Sequence, residues 1–146
     1  MQNGRYSALT LACRNQQIEM AKYLVEHGAT LDYRSETGWT ALIEAARVGN
    51  ETLVTYLLSK KASVNLGNDF GWPPLIEACR NAHYEVVEIL LNNGADVKLL
   101  DCDGETALEH TNHPWIRALI VDNKIGTSGY HVRFTSAVCC GFDADQ

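Results

Sequence analysis

Residues 38–46 read GWTALIEAA and residues 71–79 read GWPPLIEAC, two near-copies set 33 residues apart. Stepping back by 33 reaches SALTLACRN (7–15), and stepping forward reaches TALEHTN (106–112). Leu9, Leu42, Leu75 and Leu108 fall in one register, and so do Ala12, Ala45 and Ala78. Beyond them, Leu24-Val25, Leu57-Leu58 and Leu90-Leu91 align, and Gly28-Ala29 and Gly94-Ala95 close their units with Lys61-Ala62 between. A fixed period in this range marks a stack of similar units, each of which buries its apolar face only against its neighbours.

Each unit reads as two short helices and a loop, an all-α arrangement. Leu42, Ala45 and Ala46 stand at i, i+3 and i+4, one face of a first helix, and Gly49-Asn50 breaks it. Leu53, Val54, Leu57 and Leu58 form a wider stripe on a second helix. Thr40 and Thr106 suit N-cap positions, and Pro74 suits the first helical residue. Gly28 and Gly94 stand where a helix ends in a left-handed turn. Lys61 takes that place in the second unit, at a strain of roughly 1 kcal/mol. The small pairs Ala12-Cys13, Ala45-Ala46 and Ala78-Cys79 let successive first helices approach closely.

This pattern resembles the ankyrin repeat family over residues 4–124, on the strength of GWTALIEAA, GWPPLIEAC and VVEILLNNGAD (86–96). The resemblance implies a solenoid of stacked helix-turn-helix units with protruding loops, at 1–34, 35–67, 68–100 and a contracted capping unit at 101–124. The consensus His is replaced by Thr10, Ile43, Ile76 and Glu109. In the fourth unit, Ile116, Leu119 and Ile120 match only after a deletion of four residues, which places Asn123 at the left-handed turn. Residues 125–146 belong to no unit. Tyr130, Val132 and Phe134 alternate with polar residues, a strand-like pattern that suits either an extended tail packed on the last unit or a segment that orders on a partner.

Composition narrows the function. The 146 residues carry 12 Lys plus Arg against 18 Asp plus Glu, a formal charge of −6 that disfavours bulk binding to nucleic acid or anionic membrane. The longest clean apolar run is Ala118–Val121, far below the ~20 residues of a membrane span. Residues 1–7 carry no secretory-signal pattern. Five cysteines, none in a C-x-x-C pair, read as reduced thiols of the cytosol or nucleus. The chain is equally readable as a fragment of a longer array or as a minimal adaptor.

Catalysis is not expected, since neither a phosphate loop nor a nucleophile elbow is present. His110 and His113 stand at i, i+3, but Pro114 interrupts the helix there, so neither a metal nor a cofactor is assigned. A binding surface is expected instead. In one register the units carry Tyr6, Trp39, Trp72 and Glu105; in a second, Arg14, Arg47 and Arg80; between them lie Glu44 and Glu77. At ~100° per residue, Glu44 and Arg47 project away from the stacking face. Glu44–Arg47 and Glu77–Arg80 could simply pair at i, i+3 for ~0.2–0.5 kcal/mol each. The family resemblance implies instead a concave groove lined by these side chains, together with Asp103 at a loop tip.

The groove suits a protein scaffold or adaptor that binds a partner domain or an extended peptide as a monomer. The alternative is a nucleotide or small-ligand sensor, with Trp holding a base and Arg a phosphate. The acidic balance favours the protein partner. Phe70, Trp72 and Glu77 also resemble the arginine cradle of tankyrase ankyrin clusters, which implies an Arg or Lys of the partner held between two aromatic faces and a carboxylate. Thr37, Trp39 and Glu44 form a poorer copy. Arg80 is the competitor that closes the site if it already satisfies Glu77.

Overall fold

The computed structural model describes residues 6–125, apart from the side chains of 124 and 125. Seven α-helices and one 3₁₀ turn follow one another as antiparallel pairs: α1 (Ala8–Arg14) with α2 (Ile18–Glu26), α3 (Ala41–Val48) with α4 (Glu51–Ser59), and α5 (Pro74–Arg80) with α6 (Tyr84–Asn92). The last unit pairs a 3₁₀ turn (Ala107–His110) with α7 (Pro114–Ile125). No strand occurs among the described residues. Apart from Ile125, which closes α7, the expected tail lies outside them.

Local chemistry sets the helix starts. Thr40 accepts the amide of Ile43, Ser7 that of Thr10 and Asn50 that of Leu53, each satisfying a donor that the first turn leaves free. Pro74 occupies the first position of α5, where its missing N–H costs nothing. The second helices end in left-handed residues at Gly28, Lys61 and Gly94, with φ of 94°, 77° and 93°. The amides of Ala29, Ala62 and Ala95 then bond back to the carbonyls of Leu24, Leu57 and Leu90, closing the last turn. Lys61 therefore sits in the strained conformation expected of it.

Burial follows the repeat. Leu42, Leu53, Leu57, Leu75, Leu90 and Ile116 are at most 2% exposed, each worth ~1.5–3 kcal/mol of apolar transfer. Ala12, Cys13, Ala45, Ala46, Ala78 and Cys79 are buried between the first helices, where a larger side chain would force the stack apart. The fourth unit departs from expectation at one point. Asn123 does not terminate its helix in a left-handed turn; α7 runs on to Ile125, and Asn123 Nδ2 donates to the carbonyl of Leu119 one turn back. The first helix of that unit shrinks to a single 3₁₀ turn, fastened by a capping box between Thr106 and Glu109.

Candidate functional site

The loops that open units two to four share a device that the repeat hides in plain register. Ser35, Asn68 and Asp101 are 33 residues apart, and each uses one side-chain oxygen to hold two backbone amides of its own loop. Asn68 Oδ1 accepts from Phe70 N at 2.9 Å and Trp72 N at 3.1 Å; Asp101 Oδ1 accepts from Asp103 N and Glu105 N at 2.9 Å each. Each is a local side-chain-to-backbone turn. The loops also fasten to one another, with Asp69 N donating to Thr37 O and Cys102 N to Phe70 O, both at 3.0 Å. Gly71 explains why the residue before Trp72 lacks a side chain. Its φ is 81°, and a Cβ there would lie 2.9 Å from the backbone of Asp101 and of Cys102.

Trp72 is fixed at both ends. Its Nε1 donates to Asp101 Oδ2 at 3.1 Å, and Phe70 stacks on its ring with centroids 4.7 Å apart. His110 Nε2 donates to the same Oδ2 at 2.7 Å, and the His110 ring meets Trp72 edge-on. Burial alone would raise the Asp101 carboxyl, but the Glu105 amide, His110, the Asp103 amide and Trp72 bring it down to about 2. Asp101 was not among the expected site residues. Its signal was available: a residue able to form such a turn stands in register at all three loop starts. Phe70 itself is 52% exposed although its ring is held, which makes it a rigid apolar knob at the loop tips. Asp69, Asp103 and Glu105 are exposed around it.

The first helices present a different chemistry from the one expected. Glu44 and Glu77 do not line an open groove; they are 2% and 3% exposed. Turning them off the Leu42 face was correct for an isolated helix, but the neighbouring units cover that side as well. Glu44 pairs with Arg47, Nε to Oε1 at 3.0 Å. Glu77 receives Asn81 Nδ2 at 3.4 Å. Desolvation pushes the Glu77 carboxyl up, Arg80 and Arg47 pull it down, and Glu44 opposes them. Arg80 places its guanidinium 4.2 Å from the centroid of Trp72, and Arg14 lies 5.2 Å from that of Tyr6. What faces outward from the first helices is therefore a row of arginines, with Tyr6 and Trp39 half-buried beside it.

The three-sided cradle is closed. Phe70 and Trp72 stack on each other, leaving no gap for a guanidinium, and Arg80 already covers the indole. Glu77, its carboxylate arm, is buried. The same arrangement meets a nucleotide base, which would have to displace Phe70 or Arg80 to stack on Trp72. Of the expected residues, the loop group Phe70, Trp72, Asp103 and Glu105 comes together around Asp101.

His110 turns toward Asp101 and Glu105 and away from any pairing with His113; ligand atoms of Asp101, Glu105 and His110 lie within 4.8 Å of one another. Both Asp101 oxygens already accept two donors each, so hydrogen bonding alone accounts for the cluster. The thiols of Cys13 and Cys79 are buried and pushed up to about 12 by desolvation, while Cys102 is exposed. A separate hollow of about 380 Å³ lies between Tyr84, Glu85, His113 and the 69%-exposed Trp115, a surface that no repeat position announces.

A family model described as "Ankyrin repeats (3 copies)" matches residues 1–68 and again residues 61–126. No curated protein matches the chain.

Proposed function

We propose that this chain, which belongs to the ankyrin repeat family, is a module that binds another protein across its loop tips and first-helix face. Ankyrin repeats generally mediate protein–protein interaction, and ankyrin repeat proteins are typically non-enzymatic binding modules. The observation that carries the reading is Phe70, half exposed yet locked by Trp72, which Asp101 in turn holds. An exposed aromatic whose ordering entropy is already lost on folding is the kind of group that dominates binding hot spots. A basic side chain of the partner meets the exposed Asp103 and Glu105 of the next loop, since Asp69 is paired with Arg34 at 3.4 Å and Glu77 is buried.

The reading goes with a monomeric adaptor in the cytosol or nucleus, where the free thiols of Cys13, Cys79 and Cys102 stay reduced. Affinity capture with the intact chain beside a Phe70→Ala variant tests it. Proteins held by the intact chain and lost by the variant support the reading. An identical set on both removes Phe70 as the anchor.

A further inference from the structure

We infer that the first-helix face receives an acidic, extended segment of the partner, with carboxylates at every third residue seated along Arg80, Arg47 and Arg14. The inference rests on the binding-module reading and adds the chemistry of what lies in the groove. Three observations converge on it.

The first is unused hydrogen-bonding capacity. Arg47 gives its Nε to Glu44 at 3.0 Å. Arg14 and Arg80 donate no hydrogen bond to any described residue; each lies with its guanidinium over a ring, Tyr6 at 5.2 Å and Trp72 at 4.2 Å. A guanidinium drawn to a ring face in this way spends no N–H on it, and those N–H groups are the ones that grip a carboxylate bidentately.

The second is sign. Glu44 and Glu77 are buried beneath the row, so a partner meets guanidiniums first. Asp101, which holds the Trp72 indole beside Arg80, is buried as well, so the groups this face presents outward are the cations, on a chain whose total is −6. At physiological salt, charges farther away than about 8 Å are largely screened, so the local sign governs the contact.

The third is spacing. Arg14, Arg47 and Arg80 sit at one register on successive first helices, α1, α3 and α5. Packed helices stand about 8–10 Å apart. A polyproline-type segment rises ~3.1 Å per residue with three residues per turn, so side chains at i, i+3 and i+6 share one face about 9 Å apart. A β-strand repeats its face every two residues, about 6.6 Å, and falls out of step.

Fluorescein-labelled proline-rich peptides are the probe, read by anisotropy against the full 146-residue chain. One carries Glu at every third position, a second carries Lys there, and a third carries the same number of Glu at every second position. The Glu-every-third peptide should bind most tightly, weaken with added salt, and lose about fivefold in affinity with Arg80→Ala, the scale of one well-placed ion pair. Arg14→Gln, at the other end of the row, should act in the same direction. No binding, equal binding of the Lys or alternate-residue peptide, or indifference to both arginine variants overturns the inference. Such a failure, with capture through Phe70 intact, leaves the binding-module reading standing; loss of capture dependence on Phe70 leaves the peptide titration unaffected.

Discussion

The indole Nε1 of Trp72 hydrogen-bonds Oδ2 of Asp101, 29 residues along the chain, at 3.1 Å. Through that one bond the loop of unit four supports the aromatic of unit three, and Phe70 rests on the aromatic in turn. Asp101→Ala removes four acceptor contacts at once and leaves two loop amides and the indole N–H without their acceptor. A loss of about 2–3 kcal/mol in chemical denaturation is expected, the cost of breaking hydrogen bonds to a charged group.

Acid should expose the same group. The folded Asp101 carboxyl lies at about 2, below the usual aspartate range. A depressed carboxylate contributes stability that is fully present above the unfolded value and is lost as pH falls through the folded one. Between pH 4 and pH 2 the wild-type chain should therefore lose more stability than Asp101→Asn. Parallel acid titrations of the two would show that Asp101 is not the responsive group.

Glu77 has the opposite sign. Burial raises its carboxyl above the usual glutamate range, so its ionised form is a net burden near neutral pH, relieved as pH falls through the raised value. Glu77→Gln should leave stability unchanged or improve it at pH 7, with any advantage shrinking on acidification. A pH 7 loss beyond about 1 kcal/mol would mean that the Arg47 and Arg80 attraction outweighs the desolvation.

Backbone strain makes a cleaner pair. Lys61 holds φ at 77°, so Lys61→Gly should stabilise the array by about 0.5 kcal/mol, strain relief less the glycine's unfolded-state entropy. Gly71→Ala should cost about 2 kcal/mol or more, because its Cβ meets the backbone of Asp101 and Cys102 at 2.9 Å. Thermal melts of the two variants should move in opposite directions.

In native-state hydrogen exchange, α3 to α6 should be the slowest segments, since units two and three are covered by neighbours on either side. Residues 107–125, with a 3₁₀ turn in place of a first helix, should open earlier. Slowest exchange at 107–125 would show that the contracted unit is the anchor.

Much of this architecture is legible in the period of 33, because stacking demands the same small and large residues at the same places in each unit. Thr40, Pro74, Gly28 and Lys61 each do in the structure what their chemistry predicts. The left-handed residues Gln16 and Ala82 were not legible, because only Gly49 among their register mates advertises the conformation. Glu44 and Glu77 were misplaced for a deeper reason. A helical wheel reports direction from one helix axis, whereas their burial comes from units 33 residues away. Aromatic stacking between Phe70 and Trp72 was likewise invisible, since two-residue spacing in a loop fixes neither the ring planes nor the gap between them.

Amide hydrogen exchange of the chain alone and in complex with a captured partner reads the central claim most directly. The account predicts slowed exchange at 69–72 and 101–105, around Phe70 and Asp101, and along the first helices α3 and α5. Protection confined to the second helices α2, α4 and α6, with the Phe70 loop unchanged, would contradict it.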